Sequence, residues 1–273
     1  MRPKRILVTG AGSGFGRGAA LALAAKGHAV IAAVQWPEQI AQLNDEAKAR
    51  GTALRVEKLD LLSEADRRAA FAWDIDVLVN NAAVGEAGPI AEIPLELVRK
   101  VFEVNVFATL ALTQGFVKQM VNRGRGRVIF VSSSAGLFSA AYFGAYCASK
   151  HALEAMSESL HAELAAFGIQ VATVNPGPYG TGFNERMIEN TKRWFDPKQN
   201  FTRPQDLEAV KHRFEKQFDP EELIRALVEV VESESGPYRN VLPRSLQGLV
   251  HTGQQAAWDR QQTPPGVGAA PTN

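Results

Sequence analysis

The stretch RILVTGAGSGFGRGAA, residues 5–20, joins a short apolar run to a cluster of five glycines and then to a helical pattern. Residues 5–9 predict a buried strand, and residues 15–26 predict a helix that stops at Gly27. Glycine permits positive φ angles and lets the backbone approach a ligand closely, and a helix start offers free N–H groups to a pyrophosphate. The stretch therefore predicts a phosphate-binding turn after the first strand, with a flexible turn as the alternative.

The glycines of this turn depart from the most familiar dinucleotide spacing. Gly14, Gly16 and Ala19 satisfy G-x-G-x-x-G/A formally, but they do not follow the strand directly. The turn that does so runs from Gly10 to Gly16 and has the spacing G-x-x-x-G-x-G. We therefore take the turn from Gly10 to Gly16 as the candidate cofactor loop.

The rest of the chain repeats the order strand, helix, strand. Further strands are predicted at residues 29–34, 53–59, 75–81, 127–133, 169–175 and 239–243, and further helices at 37–49, 63–71, 95–122, 146–167 and 219–233. Because strands such as IDVLV are apolar throughout, a parallel sheet with helices on both faces is expected. The predicted fold is α/β: a single-domain, Rossmann-like, doubly wound parallel sheet of about seven strands over residues 1–262, followed by a disordered tail at 263–273.

Bulk composition excludes several classes of function. Thirty basic and 29 acidic residues give a net charge of +1, so neither nucleic acid nor an anionic membrane is the expected partner. The single cysteine, Cys147, excludes an internal disulfide, and the five histidines have no metal-ligand spacing. No apolar run of about 18 residues and no signal peptide is present, so a cytoplasmic protein without a membrane span is expected.

A serine, a tyrosine and a lysine fall where a parallel sheet would bring them to one edge. Ser133 ends the fifth predicted strand, Tyr146 opens the next helix, and Lys150 follows one turn later. Helix positions i and i+4 share a face, and a cation within about 4–6 Å lowers the pKa of a phenol by typically 1–3 units. Tyr146 is therefore a candidate general acid/base for hydride transfer between a ketone and an alcohol, with an ordinary surface pair as the alternative.

Taken together, the motifs resemble those of a known family. TGAGSGFG, NNAA, a serine thirteen positions before the tyrosine, YCASK and NPGPYGT recur in this order in the classical short-chain dehydrogenases/reductases. The resemblance covers about residues 4–182, and more loosely extends to 243. It implies that Tyr146 is the general acid/base, that Lys150 lowers its pKa and binds the nicotinamide ribose, and that Ser133 orients the carbonyl.

The resemblance also gives a role to Asn105, in FEVNVFA, which matches an asparagine that maintains a proton relay through water to the lysine. Taken alone, Asn105 is a polar residue inside an apolar helix. A buried amide needs hydrogen-bond partners, so a kink or a water site would explain it.

For the cofactor, the resemblance implies NAD or NADP. Asn81 would steady the central strand near the adenosine ribose, and Asp60 would accept from the adenine amino group, unless it caps a turn. An acidic residue after the second strand favours NAD and an arginine favours NADP, but Val34-Gln35 has neither charge, so the choice stays open. The implied cofactor-binding residues are Gly10, Ser13, Gly14, Phe15, Gly16, Gln35, Asp60, Leu61, Asn81, Ala82, Tyr146, Lys150, Pro176, Gly177 and Thr181.

Residues 182–218 interrupt the strand–helix rhythm and are rich in aromatic residues, which is typical of a lid over an apolar substrate. Packing of these aromatics onto the body of the protein is the alternative. The predicted substrate is a medium-sized apolar ketone or secondary alcohol, and the predicted substrate-binding residues are Leu137, Phe138, Phe143 and Phe183.

Two further expectations concern partners and function. The resemblance favours a homodimer or homotetramer built on helices 95–122 and 146–167, and the apolar stripe from Leu153 to Leu164 must face either the sheet or a partner subunit. The competing function is a catalytically inactive dinucleotide-binding sensor or scaffold.

Overall fold

The protein is described by a computed structural model of residues 2–262, and the predicted tail at 263–273 lies outside the described residues. Seven parallel strands form one sheet in the order β3-β2-β1-β4-β5-β6-β7. The strands are β1 (Arg5–Thr9), β2 (Ala29–Val34), β3 (Arg55–Lys58), β4 (Val77–Asn80), β5 (Gly126–Val131), β6 (Ile169–Pro176) and β7 (Arg239–Leu242). The strand order turns back between β1 and β4, which creates a crevice at their carboxyl ends. The predicted fold class is confirmed.

Helices cover both faces of the sheet. They are α1 (Gly14–Ala25), α2 (Glu38–Ala49), α3 (Glu64–Ala70), α4 (Leu95–Phe102), α5 (Thr109–Arg123), α6 (Gly144–Leu164), α7 (Phe183–Glu189), α8 (Pro204–His212), α9 (Pro220–Glu232) and α10 (Leu246–Trp258). Successive strand residues point to opposite faces, so Ile6 and Val8 join one apolar cluster with α1 and α9. Leu7 joins a second cluster with α5 and α6 on the other face.

The stripe on α6 packs onto the sheet. Leu153 and Leu164 are buried in the second cluster, and Met156 and Leu160 pack against it. The sequence left open whether this stripe faces the sheet or a partner subunit, and in the structure it faces the sheet.

Three differences from the sequence prediction concern helices. The predicted helix at 95–122 is α4 and α5 joined by a π-helical segment, Glu103–Ala108. The insertion contains α7, α8 and a 3₁₀ turn at Asn190–Arg193. Helix α10 was not predicted, because its sequence LQGLVHTGQQAAW contains two glycines and little apolar periodicity.

Two searches of residues 2–262 were negative. None of the helices there has the length and apolarity needed to cross a membrane. In that same part of the chain, His, Cys, Asp and Glu side chains form no group of three or more that could hold a metal ion.

Candidate active site

A cavity of about 800 Å³ opens at the carboxyl edge of the sheet. It is lined by residues that follow β1, β2, β3, β4 and β5 and by the end of β6. The lining includes most of the predicted site residues: Gly10, Ser13, Gly14, Phe15, Gln35, Asp60, Leu61, Asn81, Ala82, Ser133, Phe138, Phe143, Tyr146, Lys150, Pro176, Gly177, Thr181 and Phe183. The topology therefore brings the glycine turn, the proton-transfer candidates and the aromatic insertion into one space.

Three predicted site residues lie outside this lining, namely Gly16, Asn105 and Leu137. Leu137 was predicted to form part of the substrate wall, but its buried side chain packs against Val241 and Val250. Val250 itself lines the cavity, so Leu137 supports that wall from behind and the sequence prediction was wrong for its position.

The glycine turn is a close-packed cradle. Gly10 has φ of 65°, and a Cβ at this position would lie 2.7 Å from the Cα of Ala82. A Cβ at Gly16 would collide with the amide of Asn81, whose Nδ2 donates to the Thr9 carbonyl at 2.9 Å. Gly14 also has a positive φ, and Thr181 lies beside it. Because backbone rather than side chain forms this surface, the cradle fits the pyrophosphate of a dinucleotide.

At the other end of the cavity, β2 is followed by neutral polar side chains. Gln35 lies at the cavity wall beside Gln39, whose Oε1 accepts from the Trp36 N–H at 3.0 Å. Asp60 uses Oδ1 to accept from the Leu62 N–H at 3.1 Å, as in a turn cap, while still lining the cavity. Neither a cation nor a carboxylate directly follows β2, so the structure, like the sequence, does not favour NAD over NADP or the reverse.

Ser133, Tyr146 and Lys150 all line the cavity. The Ser133 hydroxyl accepts from the Ala135 N–H at 3.1 Å and donates to the Pro176 carbonyl at 3.4 Å. The Lys150 ammonium is buried and donates to the Val131 carbonyl at 3.0 Å. Its nitrogen lies 5.8 Å from the centre of the Tyr146 ring. The lysine therefore lies next to the Tyr146 ring and is hydrogen-bonded to the last residue of β5, the strand that leads to Ser133.

Burial affects the pKa of the phenol and that of the lysine beside it. Burial raises the pKa of Tyr146 well above its ordinary value, and interaction with the Ser133 hydroxyl acts against this shift without cancelling it. Burial also lowers the pKa of Lys150 to about 8, against the opposing effect of the Glu154 carboxylate. That Lys150 lowers the phenol pKa stays a prediction, and in the protein alone burial is the largest influence and raises that pKa.

Asn105 lies in the π-helical segment, which explains a polar residue in an apolar helix. Its Oδ1 accepts from the Val84 N–H at 2.9 Å, and its Nδ2 donates to the Val84 carbonyl at 2.8 Å and to Ser149 Oγ at 3.0 Å. Ser149 in turn donates to the Tyr146 carbonyl at 2.8 Å. A π-helical segment is a local irregularity that often occurs at functional sites. Asn105 joins the loop after β4 to the helix that carries Tyr146, and its part in a proton relay stays a prediction.

Residues of the insertion lie over the tyrosine. The Phe183 ring centre is 5.6 Å from that of Tyr146, and the Phe214 ring is 5.4 Å from that of Phe143. The Thr191 hydroxyl donates to the Ala87 carbonyl at 3.0 Å, which ties the insertion to the loop after β4. An apolar wall therefore faces the proton-transfer group.

Sequence reasoning missed several cavity residues. Phe214 lies within the insertion and could have been found from its aromatic character. Leu246, Leu249 and Val250 come from α10, a helix that the sequence pattern did not predict. By contrast, Phe201 of the insertion is 77% exposed and takes no part in the wall.

Comparison with known proteins places the chain among oxidoreductases. The model of the short chain dehydrogenase family matches residues 4–192. An uncharacterized oxidoreductase of Bacillus subtilis is 38% identical over 197 residues, which are 70% of this chain and 70% of that protein. A 3-ketodihydrosphingosine reductase of Bacteroides thetaiotaomicron is 32% identical over 256 residues, 91% of each. Retinol dehydrogenase 8 of Homo sapiens is 30% identical over 253 residues, 87% of this chain and 80% of that protein.

The solved structures that resemble this chain are likewise dehydrogenases or reductases. A short-chain dehydrogenase from Streptomyces avermitilis superimposes with a TM-score of 0.75 at 30% identity, covering 94% of this chain and 92% of its own. An actinorhodin polyketide ketoreductase with NADPH has a TM-score of 0.72 at 25% identity, with coverages of 88% and 95%. An NAD⁺-bound xylitol dehydrogenase has a TM-score of 0.74 at 25% identity, with coverages of 87% and 96%.

Proposed function

The chain belongs to the short chain dehydrogenase family, and on that premise we propose that it is an NAD(P)-dependent oxidoreductase that interconverts an apolar ketone and a secondary alcohol. Tyr146 is the general acid/base. The observation that carries this proposal is the meeting of Ser133, Tyr146 and Lys150 in one cavity with the glycine turn. A binding protein needs the turn but has no use for a buried phenol beside a serine hydroxyl.

The cofactor is assigned from the cradle and from the solved relatives. The turn from Gly10 to Gly16 holds the pyrophosphate, Asn81 steadies the turn from the adjacent strand, and Thr181 lies across from Gly14. When bound, the nicotinamide supplies or accepts the hydride. One related structure holds NADPH and another NAD⁺, and a neutral Gln35 is compatible with either.

Tyr146, Ser133 and Lys150 have different roles in the proton transfer. In reduction, the Tyr146 hydroxyl gives its proton to the carbonyl oxygen, and its raised pKa keeps that proton in place until charge develops on the oxygen. Ser133 Oγ donates a hydrogen bond to the same oxygen and fixes its position. Lys150 stabilises the resulting phenolate from behind, because a buried positive charge interacts strongly across a short distance.

The apolar character of the substrate rests on the wall of the cavity. The Phe183 ring packs against the Tyr146 ring, the Phe143 ring packs against the Phe214 ring, and Leu246 and Leu249 also line the cavity. Pockets of this size that bury most of a ligand are usually apolar with a few polar groups that set orientation. Two relatives are named for apolar lipids, a retinol and a ketodihydrosphingosine, which supports the same class here.

Self-association is part of the proposal. The homodimer or homotetramer that family resemblance implies would use α4, the π-helical segment, α5 and α6. Leu95 and Phe107 on this surface are each 57% exposed, which is high for large apolar side chains. Light scattering after size exclusion should give a dimer or tetramer, and Phe107→Glu should shift it toward monomer.

The direct test is turnover. A panel of apolar ketones and secondary alcohols is mixed with the protein and with reduced or oxidised NAD or NADP, and the nicotinamide absorbance is followed. We expect turnover with ketones and alcohols that carry a long apolar group, and less with small polar analogues. Tight cofactor binding without turnover on any member of a broad panel would favour the inactive sensor instead.

A further inference from the structure

Glu154 is a buried carboxylate that neither the proton-transfer chemistry nor the cofactor cradle accounts for. It is 5% exposed and follows Lys150 by one helical turn, as Lys150 follows Tyr146. Residues four apart lie on the same face of a helix, so Tyr146, Lys150 and Glu154 form a row along α6. A buried carboxylate is unfavourable unless it is paired, so its partners are informative.

Both oxygens of Glu154 are hydrogen-bonded. Oε1 accepts from Asn175 Nδ2 at 2.6 Å, and Oε2 accepts from the Arg239 guanidinium at 3.1 Å. Asn175 Nδ2 also donates to the Ser133 carbonyl at 3.3 Å, and its Oδ1 accepts from Thr173 Oγ1 at 3.0 Å. A chain of hydrogen bonds thus runs from β7 through Glu154 to the backbone of Ser133.

The charges around Lys150 give the carboxylate a second role. The ammonium is 2% exposed, and its hydrogen bond goes to a neutral carbonyl. Burial favours the neutral amine, and Glu154 is the charged group that opposes this by raising the pKa of Lys150. The other titratable groups that face the carboxylate are Glu158 on α6, Tyr238 just before β7 and Arg239 at its start.

We propose that Glu154 is a positioning residue of the proton-transfer group, which fixes the Ser133 backbone through Asn175 and keeps Lys150 charged. The proposal rests on the function proposed above, because it assigns Glu154 a role through Ser133 and Lys150. A purely structural carboxylate would hold β7 against α6 without affecting the charge of the lysine.

The test measures the protonation of Lys150 directly and needs no substrate. The full-length protein is labelled at lysine Cε with ¹³C, and the resonance of Lys150 is assigned by its absence in Lys150→Met. Glu154→Gln removes the charge but keeps an oxygen that can accept from Asn175. We expect its Lys150 titration midpoint to fall by about one pH unit relative to wild type.

The matched control is Glu158→Gln. Glu158 is exposed and lies 3.8 Å from the same Arg239, so its substitution removes a negative charge from the same helix and leaves every hydrogen bond of Glu154 and Asn175 in place. The Lys150 midpoint should then stay within about 0.2 units of wild type. An unchanged midpoint in Glu154→Gln, or equal shifts in both variants, would overturn the proposal.

A second variant keeps the test decisive if Glu154→Gln does not fold. Arg239→Gln removes the positive charge at the other side of the carboxylate, so the Lys150 midpoint should move upward. A downward or absent shift would contradict the assignment. The readout is a titration and needs no turnover. Lack of activity on every tested ketone would therefore refute the proposed function but would not bear on the role of Glu154.

Discussion

The ammonium nitrogen of Lys150 lies 5.8 Å from the centre of the Tyr146 ring and donates its hydrogen bond to the Val131 carbonyl. The lysine therefore acts on the tyrosine only through space. Burial is the largest influence on the pKa of the phenol and raises it, so the tyrosine keeps its proton in the protein alone. A protonated phenol beside a charged lysine is the state that ketone reduction requires.

The first prediction concerns the pH dependence of reduction. The active form needs the Tyr146 proton and the Lys150 charge, and the pKa of Lys150 is about 8 while that of Tyr146 is raised. With a reduced cofactor and a ketone, kcat/KM should be level near neutral pH and should fall above about pH 8. The measurement is kcat/KM for reduction as a function of pH. A rate that rises through this range would contradict the assignment of Lys150 as a charged partner.

The second prediction concerns cofactor choice. Gln35 lines the cavity after β2, where a carboxylate would repel the 2′-phosphate of NADP and bond the ribose of NAD. Gln35→Asp should raise the Kd of NADP at least about tenfold and leave that of NAD similar or lower. Titration calorimetry with both cofactors measures this.

The control for cofactor choice is Gln42→Asp, which makes the same charge change at an exposed position of α2 outside the cavity. Equal losses of NADP affinity in both variants would show a general charge effect and would contradict the role of Gln35.

The third prediction concerns the substrate wall. The Phe183 ring packs 5.6 Å from the Tyr146 ring, so Phe183→Ala removes an apolar surface next to the reacting group. Burial of such a side chain is worth about 1.5–3 kcal/mol, and KM for an apolar ketone should rise about tenfold or more. Steady-state kinetics measures it. The matched variant Phe201→Ala, in the same insertion but 77% exposed, should leave KM unchanged.

The fourth prediction concerns Glu86, a buried carboxyl under the insertion. Its Oε1 accepts from Asn190 Nδ2 at 3.3 Å, and its Oε2 has no hydrogen-bond partner within residues 2–262. Burial raises the pKa of Glu86 above the value of this side chain in the unfolded protein, and the positive charge of Lys100 is the main influence that opposes the shift. The stability it contributes is therefore full below the unfolded pKa of about 4.3 and is lost as pH rises through the folded value.

Glu86→Gln should accordingly raise the melting temperature at mildly alkaline pH by a few degrees, and the difference should vanish near pH 4. Thermal unfolding of wild type and variant across this range measures it. A variant that is less stable than wild type at alkaline pH would show that the ionised carboxylate is favourably held.

The sequence predicted the sheet because its strands are apolar and its helices carry clear stop signals. It also placed Ser133, Tyr146 and the glycine turn at one edge, since strand ends and helix starts define that edge once the sheet is parallel. The acidity of Tyr146 could not be predicted, because it depends on burial and on the direction of the Lys150 side chain. Spacing along a helix determines neither.

Other features of the site could not be predicted from the sequence, for related reasons. The partners of Asn105 are a backbone unit at Val84 and the hydroxyl of Ser149, which only the folded chain brings together. The wall from Leu246 to Val250 comes from a helix without apolar periodicity. Leu137 points behind that wall because the 3₁₀ turn at Ser134–Gly136 redirects the chain after Ser133.

The role of Tyr146 as the acid/base is tested most directly by Tyr146→Phe, which removes one oxygen from the cavity. Tyr142→Phe is the control, because Tyr142 lies four residues earlier and outside the cavity lining. Cofactor binding is followed by nicotinamide fluorescence and turnover by absorbance. We expect Tyr146→Phe to bind the cofactor as wild type does and to lose turnover by about 10²–10⁴-fold, with Tyr142→Phe unchanged in both. Full turnover in Tyr146→Phe would contradict the account.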